Sequence, residues 1–118
     1  MRDLAPEITR QRLLIEGTYA IEMNQSVVES YLLGVASHLN LRTYGKPMIH
    51  APSGLGKVEN EGFDAFIPLI DSGISLYVWS SAKFFATVLF TCKTFDVEKA
   101  LTYTTEYFNT SDFEYLSF

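Results

Sequence analysis

The sequence predicts an α+β domain: a two-layer sandwich, with a mainly antiparallel sheet and two helices packed on one face. Three observations predict it. Apolar runs rich in β-branched and aromatic residues outnumber helical stripes along the chain. Two of those runs, residues 74–79 and 84–91, flank a short polar turn as the arms of a hairpin do. The two helical stripes fall singly between strands, which favours one antiparallel sheet with both helices on one side.

Residues 1–11 are polar, include Pro6, and read as irregular. Residues 13–20, LLIEGTYA, mix β-branched, aromatic and small side chains and suggest a first strand. Ser26 and Glu29 have the spacing of a capping box, which starts a helix there. Val28, Leu32, Val35 and Leu39 recur at helical spacing with Tyr31 beside them, a core stripe facing the sheet. Residues 41–51 read as a second strand, where Gly45 and Pro47 indicate an edge position or a bulge. Residues 52–62, PSGLGKVENEG, are a loop by composition. Its GLGK lacks the longer glycine frame of a phosphate-binding loop, and Val58 follows Lys57 where a Ser or Thr is needed. A plain connecting loop is the reading. Residues 63–70 form a third strand ahead of the hairpin. Asp96 caps a second helix running to about Asn109, with Val97, Ala100, Leu101, Thr104, Tyr107 and Phe108 on its inner face. Residues 113–118 read as a last strand. The order is β-α-β-β-β-β-α-β in a single domain over residues 1–118.

Length and composition narrow the function classes. A chain of 118 residues suits one domain with a core of its own. Hydrophobic residues make up 47%, too many for a disordered chain. The net charge of −5 argues against a nucleic-acid partner, which needs a basic stripe, and against an anionic membrane surface. No apolar run reaches the ~18 residues of a spanning helix. The first residues, MRDLAPEITRQR, lack the apolar stretch of a signal peptide. The single cysteine excludes an internal disulfide and fits a reducing compartment, so a cytoplasmic location is expected.

The residues with chemical potential are Ser72, Cys92, Trp79 and the acids near them. No histidine neighbours Ser72 in sequence, so a Ser-His-Asp triad has no local support. His38 falls on the first helix and His50 on or near the second strand. With one cysteine they do not make a zinc site, and no metal is expected. Taken singly, each candidate has a plain reading: Ser72 as a turn residue, Cys92 as a small apolar side chain, Trp79 as core or interface.

Together they resemble a family. Asp71-Ser72, then Ile74-Ser75-Leu76, Trp79, and VLFTC ending in Cys92 resemble the centre of the bacterial S-adenosylmethionine decarboxylases. The run DVEKALTYTTEYF over residues 96–108 is similar to the helix that follows that family's cysteine. The likeness extends over residues 12–118 and is strongest over 71–108. The separation of Ser72 and Cys92 fits that of the family's processed serine and catalytic cysteine.

The resemblance implies a pyruvoyl cofactor made from the chain itself. The Ser72 hydroxyl would attack the Asp71 carbonyl and turn the amide into an ester. Elimination would then cut the chain before Ser72 and leave a keto group on the new N-terminus. That ketone forms a Schiff base with the substrate amine and takes up electrons as carbon dioxide leaves, the role pyridoxal phosphate has elsewhere. Cys92 would return a proton to the carbanion, and Trp79 would stack on the adenine. The implied activity is S-adenosylmethionine decarboxylation feeding spermidine synthesis, in a homodimer or higher homo-oligomer with sites near the subunit interface.

Several positions depart from the family pattern. Asp71 stands for the usual glutamate. Tyr77 stands where a histidine assists elimination, and tyrosine, with a pKa near 10, is a poor base at neutral pH. Asp64 aligns with a serine that assists the ester step. Ser81 replaces an acidic ribose ligand and cannot accept two hydroxyl hydrogen bonds as a carboxylate does. The loop over 54–62 is also longer than the family's. Two alternatives therefore stand beside the decarboxylase. One is an unprocessed, non-catalytic member that binds S-adenosylmethionine or a partner subunit. The other is a pyruvoyl-dependent ornithine or arginine decarboxylase.

Overall fold

Period-two alternation over residues 62–91 builds three consecutive antiparallel strands: β3 (Gly62–Leu69), β4 (Ser72–Trp79) and β5 (Phe84–Thr91). β1 (Gln11–Thr18) pairs with the far side of β5, and β6 (Phe113–Ser117) with the far side of β1. β2 (Met48–His50) pairs with β3 at the opposite edge. The sheet order is β2-β3-β4-β5-β1-β6, antiparallel throughout. The computed structural model describes residues 1–51 and 56–118. Pro52, Ser53, Gly54 and Leu55, including the start of GLGK, lie outside the described residues.

Alternate strand residues face the core. Leu13, Ile15, Ile67, Ile74, Leu76, Phe85 and Leu89 are fully buried beneath helices α1 (Gln25–His38) and α2 (Val97–Tyr107). Burial of each side chain of this size contributes about 1.5–3 kcal/mol. α1 supplies Val28, Tyr31, Leu32, Val35 and Ala36, and α2 supplies Ala100, Leu101 and Thr104. This is the two-layer α+β sandwich expected from the sequence.

The boundaries differ in instructive ways. Asn24, not Ser26, caps α1, its side chain accepting from the Val27 N–H at 2.9 Å. Asparagine caps as well as serine does, and the earlier site satisfies the first free amides. Asp96 caps α2 as expected, accepting from Lys99 N–H at 3.2 Å. Asn40 and Asn109 stop the two helices, with φ of 58° and 49°. The N–H groups of Leu41 and Thr110 then close Schellman motifs onto Ala36 and Thr105, both at 2.8 Å. The second strand is far shorter than 41–51. Pro47 removes a ladder donor, and before it only Thr43 bridges to Leu69. Among its described residues the expected loop holds a 3-10 turn, Val58–Asn60, and β1 already begins at Gln11, so the irregular first segment ends at Arg10.

No helix among the described residues covers the other face of the sheet. Met48, Phe66, Phe90, Leu116 and Phe118 are exposed there, and Leu14 and Val88 are half-buried between them.

Candidate functional site

Two residues, Ile70 and Asp71, connect β3 to β4, with Leu69 opposite Ser72. So short a connection demands unusual dihedrals near it. Ser72 has φ of 121°, a region suited to glycine that costs another residue about 1–3 kcal/mol. Gly73 follows because the Phe66 ring lies against it. A Cβ there would meet ring carbons at 2.5 Å.

β5 runs alongside this turn, with Thr91 opposite Ser72. The next residue, Cys92, donates its backbone N–H to the Asp71 carbonyl oxygen at 2.9 Å. That carbonyl is the one a Ser72 hydroxyl would attack. A hydrogen bond fixed on it stabilises the oxyanion formed as its carbon becomes tetrahedral. The Cys92 thiol is free and exposed. Asp71 Oδ2 is buried and lacks a hydrogen-bond partner among the described residues. The fold thus gathers Asp71, Ser72 and Cys92 at one end of the hairpin, with the peptide bond, hydroxyl and thiol on adjacent strands.

Tyr77 and Trp79 lie further along β4. At ~3.3 Å per residue, they are roughly 17 and 23 Å from Ser72. Trp79 packs on Phe84, ring centroids 5.3 Å apart. Tyr77 is directly opposite Asp64, and Asp64 directly opposite His50. All three are exposed on the helix-free face. They line a cavity of about 230 Å³ with Met48, Phe66 and Ser75. Two of the positions that differ from the resembled family, Asp64 and Tyr77, are therefore cross-strand neighbours, and a histidine stands next in the row. The sequence placed His50 on or near a strand; its partner depends on register, which one chain does not display. Ser81 donates its hydroxyl to the Glu59 carbonyl at 3.2 Å beyond the end of β4. Among the described residues no group of three or more His, Cys, Asp or Glu side chains is placed to hold a metal ion. No helix among them is long and apolar enough to cross a membrane.

The S-adenosylmethionine decarboxylase family model matches residues 15–118. The chain belongs to the S-adenosylmethionine decarboxylase family. No curated protein matches it in sequence. Among solved structures, it is similar to the crystal structure of the adenosylmethionine decarboxylase from Aquifex aeolicus VF5. The TM-score is 0.74, over 94% of this chain and 89% of that one, at 15% identity. At that identity the likeness is one of fold. The family match takes in the whole hairpin with Asp71, Ser72 and Cys92, together with Asp64, Tyr77 and Trp79. Residues 1–14 precede it.

Proposed function

We propose that this family member is a self-processing S-adenosylmethionine decarboxylase whose cofactor is a pyruvoyl group made from Ser72. The observation that carries the reading is the Cys92 N–H held on the Asp71 carbonyl, next to a serine in a strained conformation. The Ser72 hydroxyl adds to the Asp71 carbonyl carbon while the Cys92 N–H holds the developing oxyanion. The amide C–N bond breaks and an ester forms, releasing the strain at Ser72. Loss of the Cα proton frees the Asp71 carboxylate and cuts the chain. Water then displaces ammonia and leaves the keto group. Held at the start of β4, the keto group would supply an electrophilic carbonyl for the substrate amine and an electron sink for decarboxylation. Cys92 supplies the returning proton from its exposed thiol, and Trp79 offers an indole face to the adenine.

A homodimer belongs to this reading. Tyr77 and Trp79 stand too far along β4 to act at Ser72 of their own chain. A second copy against the apolar, helix-free face would cover the exposed Phe66, Phe90 and Leu116 and bring another copy's row to the turn. A free thiol and the proposed role in supplying aminopropyl groups for polyamine synthesis both suit the cytoplasm.

The test is release of labelled carbon dioxide from carboxyl-labelled S-adenosylmethionine. The wild type is expected to release it and Ser72→Ala to release none. Equal release from both overturns the proposal. The Asp64–Tyr77 pair favours a second reading, an unprocessed member that binds S-adenosylmethionine or a partner subunit without turnover. Saturable binding by calorimetry with an intact chain and no carbon dioxide would select it.

A further inference from the structure

A separate feature lies where the first ten residues meet the sheet. Met1, Arg2, Asp3, Ile8, Arg10, Arg12 and Phe118 line an open cleft of about 310 Å³, within the size range of small-molecule sites. Three of the chain's nine basic residues line it, with Asp3 the one acidic side chain among them, although the whole protein carries −5. Asp3 is occupied. It accepts from the Ala5 N–H at 3.0 Å and pairs with Arg10, and these contacts hold its carboxyl below the usual range. Arg10 also donates to the Ala5 carbonyl at 3.2 Å, so the pair sets the wall rather than filling the space. Neither Arg2 nor Arg12 forms an ion pair among the described residues, and Arg12 reaches Asp3 only as a longer-range attraction that helps lower its carboxyl. The Arg12 guanidinium lies 5.4 Å from the centre of the Phe118 ring, and its Nε is buried without an acceptor. A cation desolvated on one edge and unpaired is costly. An anion in the cleft supplies the missing charge, and a ring-stacked arginine is pre-organised to receive it.

We infer that this cleft binds a small dianion, a dicarboxylate or a phosphate. Two unpaired guanidinium groups match two negative charges, and planar forks suit carboxylate and phosphate oxygens. The inference does not depend on self-cleavage, since none of the lining residues belongs to the hairpin.

The experiment is calorimetric titration of the full chain with inorganic phosphate and, separately, with succinate, in about 0.15 M salt to screen diffuse attraction. Saturable binding at millimolar or tighter concentration is expected for at least one probe. Phosphate alone identifies a phosphate ligand, and succinate alone a dicarboxylate. Arg12→Gln and Arg2→Gln should each weaken binding about tenfold. Lys46→Gln, the same charge loss elsewhere, and Ser72→Ala should bind as the wild type does. Should Arg12→Gln fail to fold, Arg2→Gln gives the same reading. The inference is overturned if neither probe saturates by about 10 mM, or if both arginine variants bind like the wild type.

Discussion

Cys92 has two separable parts in this account. Its backbone N–H holds the Asp71 carbonyl, and its thiol faces solvent. Cys92→Ala keeps the first and removes the second. It is expected to cut itself at the wild-type rate yet lose at least about tenfold in decarboxylation, the scale of a proton donor. A variant that stays whole would instead place the thiol in cleavage. Asp64 and Tyr77 face each other across two strands. Restoring the family's residue types with Asp64→Ser and Tyr77→His is expected to speed cleavage by about 10- to 100-fold, read from band intensities over time. No acceleration would detach this row from processing. The sequence made Ser72, Cys92 and their spacing legible. The amide contact was not legible, because it depends on the register between β4 and β5. Parity carried a signal for Tyr77: it is five residues from Ser72, an odd step, so on a regular strand the two side chains point to opposite faces.

Among the elements, α1 and α2 meet through Tyr31, whose hydroxyl lies 2.9 Å from the Thr104 hydroxyl, both side chains fully buried. Burial pushes the Tyr31 phenol up to about 12, against an ordinary value near 10. A raised value means that Tyr31 favours the fold fully below pH ~10, and that this contribution is lost as the pH rises towards ~12. The loss amounts to about 3 kcal/mol. Burial raises Tyr19, Tyr103 and Tyr107 in the same direction. Urea unfolding should therefore show stability falling across this alkaline window. Tyr31→Phe should flatten the fall and cost about 1–3 kcal/mol at neutral pH, because Thr104 loses its partner. An unchanged alkaline slope would exclude Tyr31 as its source. The helices were legible from their stripes, since a 3.6-residue period is local. The start of α1 differs from the expected Ser26 because Asn24 and Ser26 are both good caps and only tertiary packing selects Asn24. The second strand shrank because Pro47 and Gly45 outweigh the apolar residues around them.

At the scale of the whole molecule, one side of the sheet is covered by helices and the other presents Met48, Phe66, Phe90, Leu116 and Phe118. A patch of this kind marks an interaction surface. Light scattering should give twice the 13.4 kDa chain mass. Val88→Glu, at the middle of that face opposite Ser75 and Leu14, should yield monomers with little decarboxylation. A monomeric wild type would contradict the shared site. Self-cleavage alters the chain's own backbone, and intact mass spectrometry of wild type and Ser72→Ala after prolonged incubation reads it without any substrate. The wild type is expected to resolve into residues 1–71 and 72–118. Their masses should sum to the chain plus water less ammonia, while Ser72→Ala stays whole. A wild-type chain that remains a single 13.4 kDa species contradicts self-cleavage.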